Sequence, residues 1–447
     1  MVKTVYGLGI ILLIGSFLVT PSFAASESQA DTDDEIFAEI NTIEDQQNVV
    51  SEEADQELKK QHLGISTVIK TESVFTYYGS NVNWLGNKTD SGIRNEIGVD
   101  LSCDIRWKKG VKSFLCLGAE LYPEGSVTPT GTNDKDYHDF LIKECFTDAN
   151  WKNKAYFRFG KQVLKWGRSY FWNPTDLINV NKKAFYNLDE NQKGTSGVKI
   201  HIPYGVRRNV YFFSEMEDID NIKDVACAGK YEWLTGGSEM SLSVWYKDGF
   251  HPVFGYDIST RFGKVDLQAE IALFNGLNYK RLEYDGEQFR WTSIDGWYPQ
   301  LSCGFTRYFD YGEINDRISV TGEFFYNQAG YDKNIYRQID EKTGGDRRLL
   351  LKQQYFSEYQ EFRKSKYYGA IFSTVNKLFL AELSLKVNGI INLVDYSTCL
   401  MTGISYKPTL KDCYINFDIY NYFGDSLSEA KFMGYSYQLN LGVKYLF

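Results

Sequence analysis

Histidine, proline and uninterrupted apolar sequence are all scarce in this 447-residue chain. There are only four histidines, His62, His138, His201 and His251, and none has metal-ligand spacing such as H-E-x-x-H. With no G-x-S-x-G elbow either, hydrolytic chemistry has no visible anchor, and an enzyme is the least favoured class. Proline occurs only 8 times. After the first 24 residues no apolar run approaches the roughly 20 residues a spanning helix needs, which excludes a helical membrane bundle. Cysteine is present but odd in number: seven residues leave at least one unpaired, and their spacing matches neither a small disulfide scaffold nor a zinc site. They sit where a strand would take a small apolar residue. A one-signed field is missing as well. Twelve acids face two lysines between Ala25 and His62, and residues 63–447 then carry 46 acids and 46 bases, so nothing draws nucleic acid to the main body.

What is abundant is aromatic: 33 tyrosines, 30 phenylalanines and 9 tryptophans, a composition suited to strands with aromatic borders. The chain opens with Lys3, a twelve-residue apolar run from Leu8 to Val19, and small residues at Ser22 and Ala24. That pattern predicts a signal peptide over 1–24, cleaved after Ala24. Residues 25–62 then form an acidic N-terminal segment, and 63–447 the main domain.

The main domain alternates. Ile93, Ile97, Val99, Leu101, Cys103, Ile105 and Trp107 interleave with Arg94, Glu96, Asp100, Ser102, Asp104 and Arg106. Val265, Leu267, Ala269, Ile271 and Leu273 interleave with Asp266, Gln268 and Glu270, and Phe379 to Val387 alternate with Glu382, Ser384 and Lys386. Each such strand has one apolar and one polar face. Several runs reach ten residues, enough for a tilted strand to cross a bilayer, and many apolar faces end in Trp107, Tyr204, Trp233, Tyr406 or Tyr445, as an interfacial girdle requires.

About eighteen runs can be counted, with sixteen the next reading; 138–149 and 208–216 alternate least clearly. Connections after even-numbered runs are tight (TGGS, FGK, VNK), whereas those after odd-numbered runs are often long, including 79–91, 164–194, 276–296 and 328–365. Short turns on one rim and long loops on the other predict an all-β, antiparallel transmembrane outer-membrane barrel, with periplasmic turns and extracellular loops. Backbone groups in hydrocarbon need partners on both strand edges, so the last strand must pair with the first. YSYQLNLGVKYLF, from Tyr435 to Phe447, is that closing strand. Its terminal Phe447 resembles the ending by which Gram-negative barrels are recognised by the barrel-assembly machinery.

The most informative stretch, Tyr156 to Gly194, begins in the fifth run and continues as a long loop; it opens YFRFGKQVLKWGRSYFWNPTDL. Pro174 keeps Asn173 out of helix, and Asp176 is placed to serve the turn. So aromatic a loop belongs against protein rather than in water. GKQVLKWGRSYFWNPTDL resembles the G-[KR]-Q…W-G…N-P-[ST]-D segment of porin-like outer-membrane barrels, including poorly characterised and alginate-export-like groups. The architectural resemblance covers most of 64–447, the motif about twenty residues. It implies that the third long-rim loop folds inward and narrows the channel. Trp166, Arg168, Trp172 and Asp176 are then the expected constriction, with Lys165 near it. The plainer alternative is that these aromatics only pack the loop onto the wall. Parity assigns Arg106, Arg158, Gln162, Lys199, Asp266, Glu270, Glu323 and Glu382 to the lumen, a charge set too balanced for an acidic-polysaccharide exporter.

The expected function is passive passage of small hydrophilic solutes through an outer-membrane channel, and the aromatic third loop hints at sugar-like ones that stack on rings. The alternatives are a loop-plugged adhesin or receptor and a gated exporter. The expected partners are outer-membrane lipids, lipopolysaccharide, the assembly machinery and the solutes, with homo-oligomerisation left open. No cofactor, metal or nucleic acid is expected. Glu217, Asp218, Asp220 and Asp224 lack EF-hand spacing and read as a solvated acidic loop.

Overall fold

A computed structural model describes residues 64–446 except 79–80, 83–87, 90–91, 108–109, 124–126, 129–130, 133–136, 165, 179–193, 218, 279, 313, 358–361, 409–411 and 432–435. The signal peptide, the acidic segment, Lys165 and Phe447 therefore lie outside the described residues.

Eighteen antiparallel strands make one closed sheet. In chain order they are β1 (Gly64–Tyr78), β2 (Gly92–Arg106), β3 (Lys112–Tyr122), β4 (Tyr137–Trp151), β5 (Ala155–Gln162), β6 (Thr195–Pro203), β7 (Arg208–Glu215), β8 (Ala226–Thr235) and β9 (Ser238–Tyr246). The second half comprises β10 (Val253–Phe262), β11 (Val265–Asn275), β12 (Trp297–Tyr311), β13 (Ile314–Asn327), β14 (Tyr367–Val375), β15 (Leu383–Asn392), β16 (Thr398–Tyr406), β17 (Cys413–Phe423) and β18 (Tyr437–Leu446). Closure occurs where expected: β1 pairs with β2 on one side and with β18 on the other, from Lys70 opposite Leu446 to Tyr78 opposite Gln438. Neither edge is left free, as a sheet in hydrocarbon requires.

The two-residue period sorts the faces. Ile93, Ile97, Leu101, Phe140, Leu242, Phe254, Leu267, Phe324, Ile404 and Leu441 are exposed and apolar on the outer wall. Trp107, Trp151, Tyr204, Phe262, Tyr311 and Tyr406 cluster at the short-turn ends of their strands and stay exposed, which is the aromatic girdle. All seven cysteines are unpaired, and Cys145, Cys227 and Cys303 are exposed.

Two irregularities explain where alternation misleads. Between β3 and β4, Cys116 faces Glu144 while Leu117 faces Ile142, so Lys143 is an extra residue and the parity of β4 flips there. This bulge is why 138–149 alternates poorly. The run expected over 378–389 is displaced: β15 starts at Leu383, while Lys377 and Phe379 take positive φ (55° and 59°) in a turn. Phe379, 90% exposed, imitates a strand residue because it lies in the girdle belt. Glu382 is consequently a turn residue, not a lumen-facing strand residue.

On the long-loop rim, 328–366 carries α1 (Ile335–Lys342) and α2 (Gly345–Ser357). Asn334 caps α1 by accepting from the Arg337 amide. Tyr331, Ile335, Tyr336, Ile339, Leu351 and Tyr355 pack with Leu282 and Phe289 of a short hairpin in the 276–296 loop, giving that rim a core of its own.

Candidate functional site

The loop after β5 turns back along the inside of the barrel. Its first residues stay tied to the wall: Gln162 is fully buried and donates weakly to the Gly160 and Gly197 carbonyls, and the Val163 amide donates to Glu144 Oε1 at 3.0 Å. Leu164, Trp166 and Ile178 then pack on Phe213 of β7 and Ala228 of β8. Farther on, Phe171 and Trp172, both at 0% exposure, pack against Phe325 of β13 and Tyr368 and Phe372 of β14, within a buried cluster that extends along the wall through Ile390 of β15, Cys399 and Met401 of β16 and Tyr420 of β17. The Trp172 ring stacks on Phe325 at 5.5 Å and 8°, and its Nε1 donates to the Phe362 carbonyl at 2.8 Å. The loop thus follows the inner face from β7 round to β14, and the buried cluster it joins extends to β17.

Those wall residues carried a signal that periodicity alone missed. Phe325, Phe372, Ile390 and Met401 occupy the inner parity of their strands, where a water-filled lumen should favour polar groups. Apolar residues on the polar face mark the arc that something covers.

Between its two apolar ends the loop presents its main chain to two wall carboxylates. Glu270 of β11, 1% exposed, accepts from the amides of Arg168 and Ser169 (2.6 Å for Ser169) through Oε1. Its Oε2 accepts from the Thr175 amide at 3.2 Å and from Thr175 Oγ1 at 2.8 Å. Glu323 of β13, 5% exposed, accepts from Tyr170 and Phe171 at 3.0 and 2.9 Å through Oε2. Its Oε1 accepts from Trp172 at 2.7 Å and from Ser302 Oγ at 3.0 Å. A buried carboxylate is tolerable only when its lone pairs are filled. Five consecutive amides, 168 to 172, supply much of that.

Gly167 makes the approach possible. Its φ is +88°, and a Cβ there would lie 3.0 Å from both Glu270 Oε1 and Asn173 Oδ1. At Gly255 on β10, a Cβ would meet Ser243 Oγ at 2.3 Å and Thr175 Cγ2 at 3.2 Å, so a bare backbone there admits the loop.

The Arg168 side chain runs into a cluster of charges. Its Nε donates to Asp257 Oδ1 at 2.6 Å, its NH1 also reaches Glu239, and Glu232 lies 3.7 Å from NH2. Asp257 is fully buried and is shared with Lys230 (3.7 Å) and Ser241. Asp257, Glu239 and Lys230 were missed from sequence, although each has inward parity. Asp176 is buried, and its amide donates to the Asn173 carbonyl at 3.1 Å.

Trp166, Arg168, Trp172 and Asp176 therefore lie on one loop inside the barrel but not at one point: Trp166 packs by β7 and β8, Trp172 by β13 and β14, and the Arg168 amide meets Glu270 between them. Trp166 and Trp172 are wedged between loop and wall, so their ring faces are not open to a passing sugar, contrary to the expectation. Among the loop's described rings, Tyr170 alone stays exposed, at 41%.

The other predicted wall residues lie elsewhere. Arg158 pairs with Asp148 (2.6 and 2.8 Å) and sits 3.8 Å over the Phe146 ring. Lys199, opposite Arg158 in the register, lies 5.7 Å from the Tyr211 ring. Asp266 pairs with Arg261 at the short-turn rim, and Arg106 ends β2 at 3.8 Å from Asp104. His201 stacks on Tyr211 and hydrogen-bonds Asn209, an ordinary structural role. In the acidic loop, Asp224 accepts from the Asp220 and Asn221 amides, and no acid or thiol cluster that could hold a metal occurs among the described residues.

Solved barrels of the same size share this architecture. The chain aligns over 86% of its length with 98% of OccK8 (OprE) of Pseudomonas aeruginosa, at a TM-score of 0.53 and 9% identity. It aligns equally far with 98% of the outer membrane protein opdK of the same organism (TM-score 0.50, 10% identity). OccK2 (OpdF) of that organism, solved in complex with glucuronate, is covered to 97% over the same 86% (TM-score 0.50, 9% identity). The fold is that of an outer-membrane barrel. At such identity the likeness speaks for fold alone, and neither a family model nor a curated protein matches the sequence.

Proposed function

We propose that the chain is an outer-membrane channel for passive diffusion of small hydrophilic solutes, narrowed by the loop after β5. The observation that carries this reading is the course of that loop, from β7 to β14 on the inside of an 18-stranded barrel. A barrel of that size leaves an aqueous lumen unless it is filled. The apolar residues of the loop cover one arc of the wall, and the arc from β1 to β6 keeps its charges. There Lys143 meets Asp100 at 2.6 Å, Arg94 meets Glu96 at 3.1 Å and Arg158 meets Asp148. Compensated pairs suit polar solutes of either sign and disfavour apolar ones. The similar OccK2 was solved with a sugar acid, and solutes of that size and polarity fit this reading.

The same reading has residues 1–24 removed on export, 25–62 on the periplasmic side, and Phe447 serving assembly into a lipopolysaccharide-bearing membrane. Single-channel recording of refolded, heat-modifiable protein in planar bilayers tests it, with wild type beside a 166–176 deletion. Stable steps that grow in the deletion are expected. Silence from both folded proteins would remove the channel reading and leave a surface receptor or adhesin.

A further inference from the structure

The run of amides from Arg168 to Trp172 is built like an anion-binding site. Successive main-chain N–H groups that converge on one side of a loop form a concavity that takes phosphate or carboxylate elsewhere in proteins. Here no free anion is needed, because Glu270 and Glu323 reach in from the wall. Together they accept from six amides and two hydroxyls, which fills about four acceptor sites on each carboxylate. All eight donors are formally neutral, so the carboxylates are held by dipoles rather than by a counter-charge.

We propose that Glu270 and Glu323 are positioning residues that lock the loop by occupying its amide cradle as built-in anions. The loop is then a fixed part of the wall and not a swinging gate. Neighbouring contacts fit that role. Gly167 supplies the turn that aims the first two amides, and Arg168 anchors its side chain on Asp257 while its amide serves Glu270. Removing a carboxylate to Cβ leaves a vacancy of carboxylate size and charge preference, which a small external carboxylate can fill. The lock itself is independent of whether the barrel conducts; only its consequence for permeation rests on the channel reading.

Hydrogen exchange of the 166–176 peptide, followed by mass spectrometry on refolded protein, reads those amides directly. In Glu270→Ala and Glu323→Ala their exchange should quicken at least about tenfold, since charge-assisted bonds to main-chain donors are lost. Added formate should slow it again in the variants and leave wild type unchanged. Wild-type protection in folded variants, or fast exchange that formate does not slow, would overturn the proposal. Should the alanine variants fail to fold, Glu323→Gln keeps the shape while replacing one acceptor oxygen with a donor. Faster exchange is then expected, and unchanged exchange overturns the lock. Conductance of the same samples separates the two readings: an unlocked loop with unchanged conductance keeps the lock and removes the constriction.

Discussion

Along β10, β11 and β13, Asp257, Glu270 and Glu323 lie at 0%, 1% and 5% exposure beneath the loop. On the arc from β1 to β6 exposure is mixed: Asp100 keeps only 9% beside Lys143, but the side chains of Asp148 and Arg158 each keep 30%, and those of Arg94 and Glu96 keep 29% and 32%. The residue types are the same and their tasks differ. A carboxylate cut off from water must be filled by fixed donors, and so it becomes an attachment point for main chain. A half-wet carboxylate keeps part of its hydration, needs only one partner, and leaves its field in the lumen. On the proposed channel reading, the inner wall of one barrel has a structural half and a half that solutes meet, and substitutions should fall on one side or the other.

The sharpest separation is expected from Trp172→Ala. Full burial against Phe325 and Tyr368, with Nε1 on the Phe362 carbonyl, predicts a loss of about 3–5 kcal/mol. It should appear as a lower unfolding midpoint in denaturant titration of detergent-refolded protein. A midpoint within error of wild type would mean that the covered arc is not packed as described. Next comes Gly167→Ala. A left-handed φ and a Cβ 3.0 Å from a buried carboxylate oxygen predict a cost of about 1–3 kcal/mol by the same measurement. Gly205 also has positive φ, +65°, but nothing lies near its Cβ position, so Gly205→Ala isolates the conformational part and should cost less.

How far the sequence foretold this division depends on distance along the chain. Strand faces are local: the side chain two positions away reports the same wall, so Glu270, Glu323, Arg158 and Lys199 could be placed inward by parity. Phe379 defeated that rule because a girdle aromatic in a turn carries the same hydrophobic signature as one in a strand. The bulge at Lys143 defeated it because one inserted residue exchanges the faces. The loop itself was recognisable from its aromatic content, but its partners were not. The Arg168 amide and Glu270 are 102 positions apart, and the Trp172 amide and Glu323 are 151 apart. No period links such pairs. What could have pointed to them was a pattern of exceptions, the apolar residues Phe325, Phe372, Ile390 and Met401 on faces that ought to be polar.

The smallest expected effect on stability, and the one that most sharpens the contrast, belongs to Arg158→Met. The pair with Asp148 is short but half-wet, so its loss should cost less than about 1 kcal/mol. The methionine can keep some contact with the Phe146 ring that the guanidinium now covers. Its effect should lie in permeation. Removing a positive charge leaves Asp148 uncompensated and makes the wall locally negative, so reversal potentials under a salt gradient should move toward cation preference. Asp148→Asn should move them toward anion preference, with Lys199 on the neighbouring strand adding to the positive side. Asp257→Asn on the covered arc should do the opposite of both: lower the unfolding midpoint and leave selectivity where it was. Selectivity that followed Asp257 and ignored Arg158 would reverse the assignment of the two arcs, because the charge facing the solute would then be the one beneath the loop.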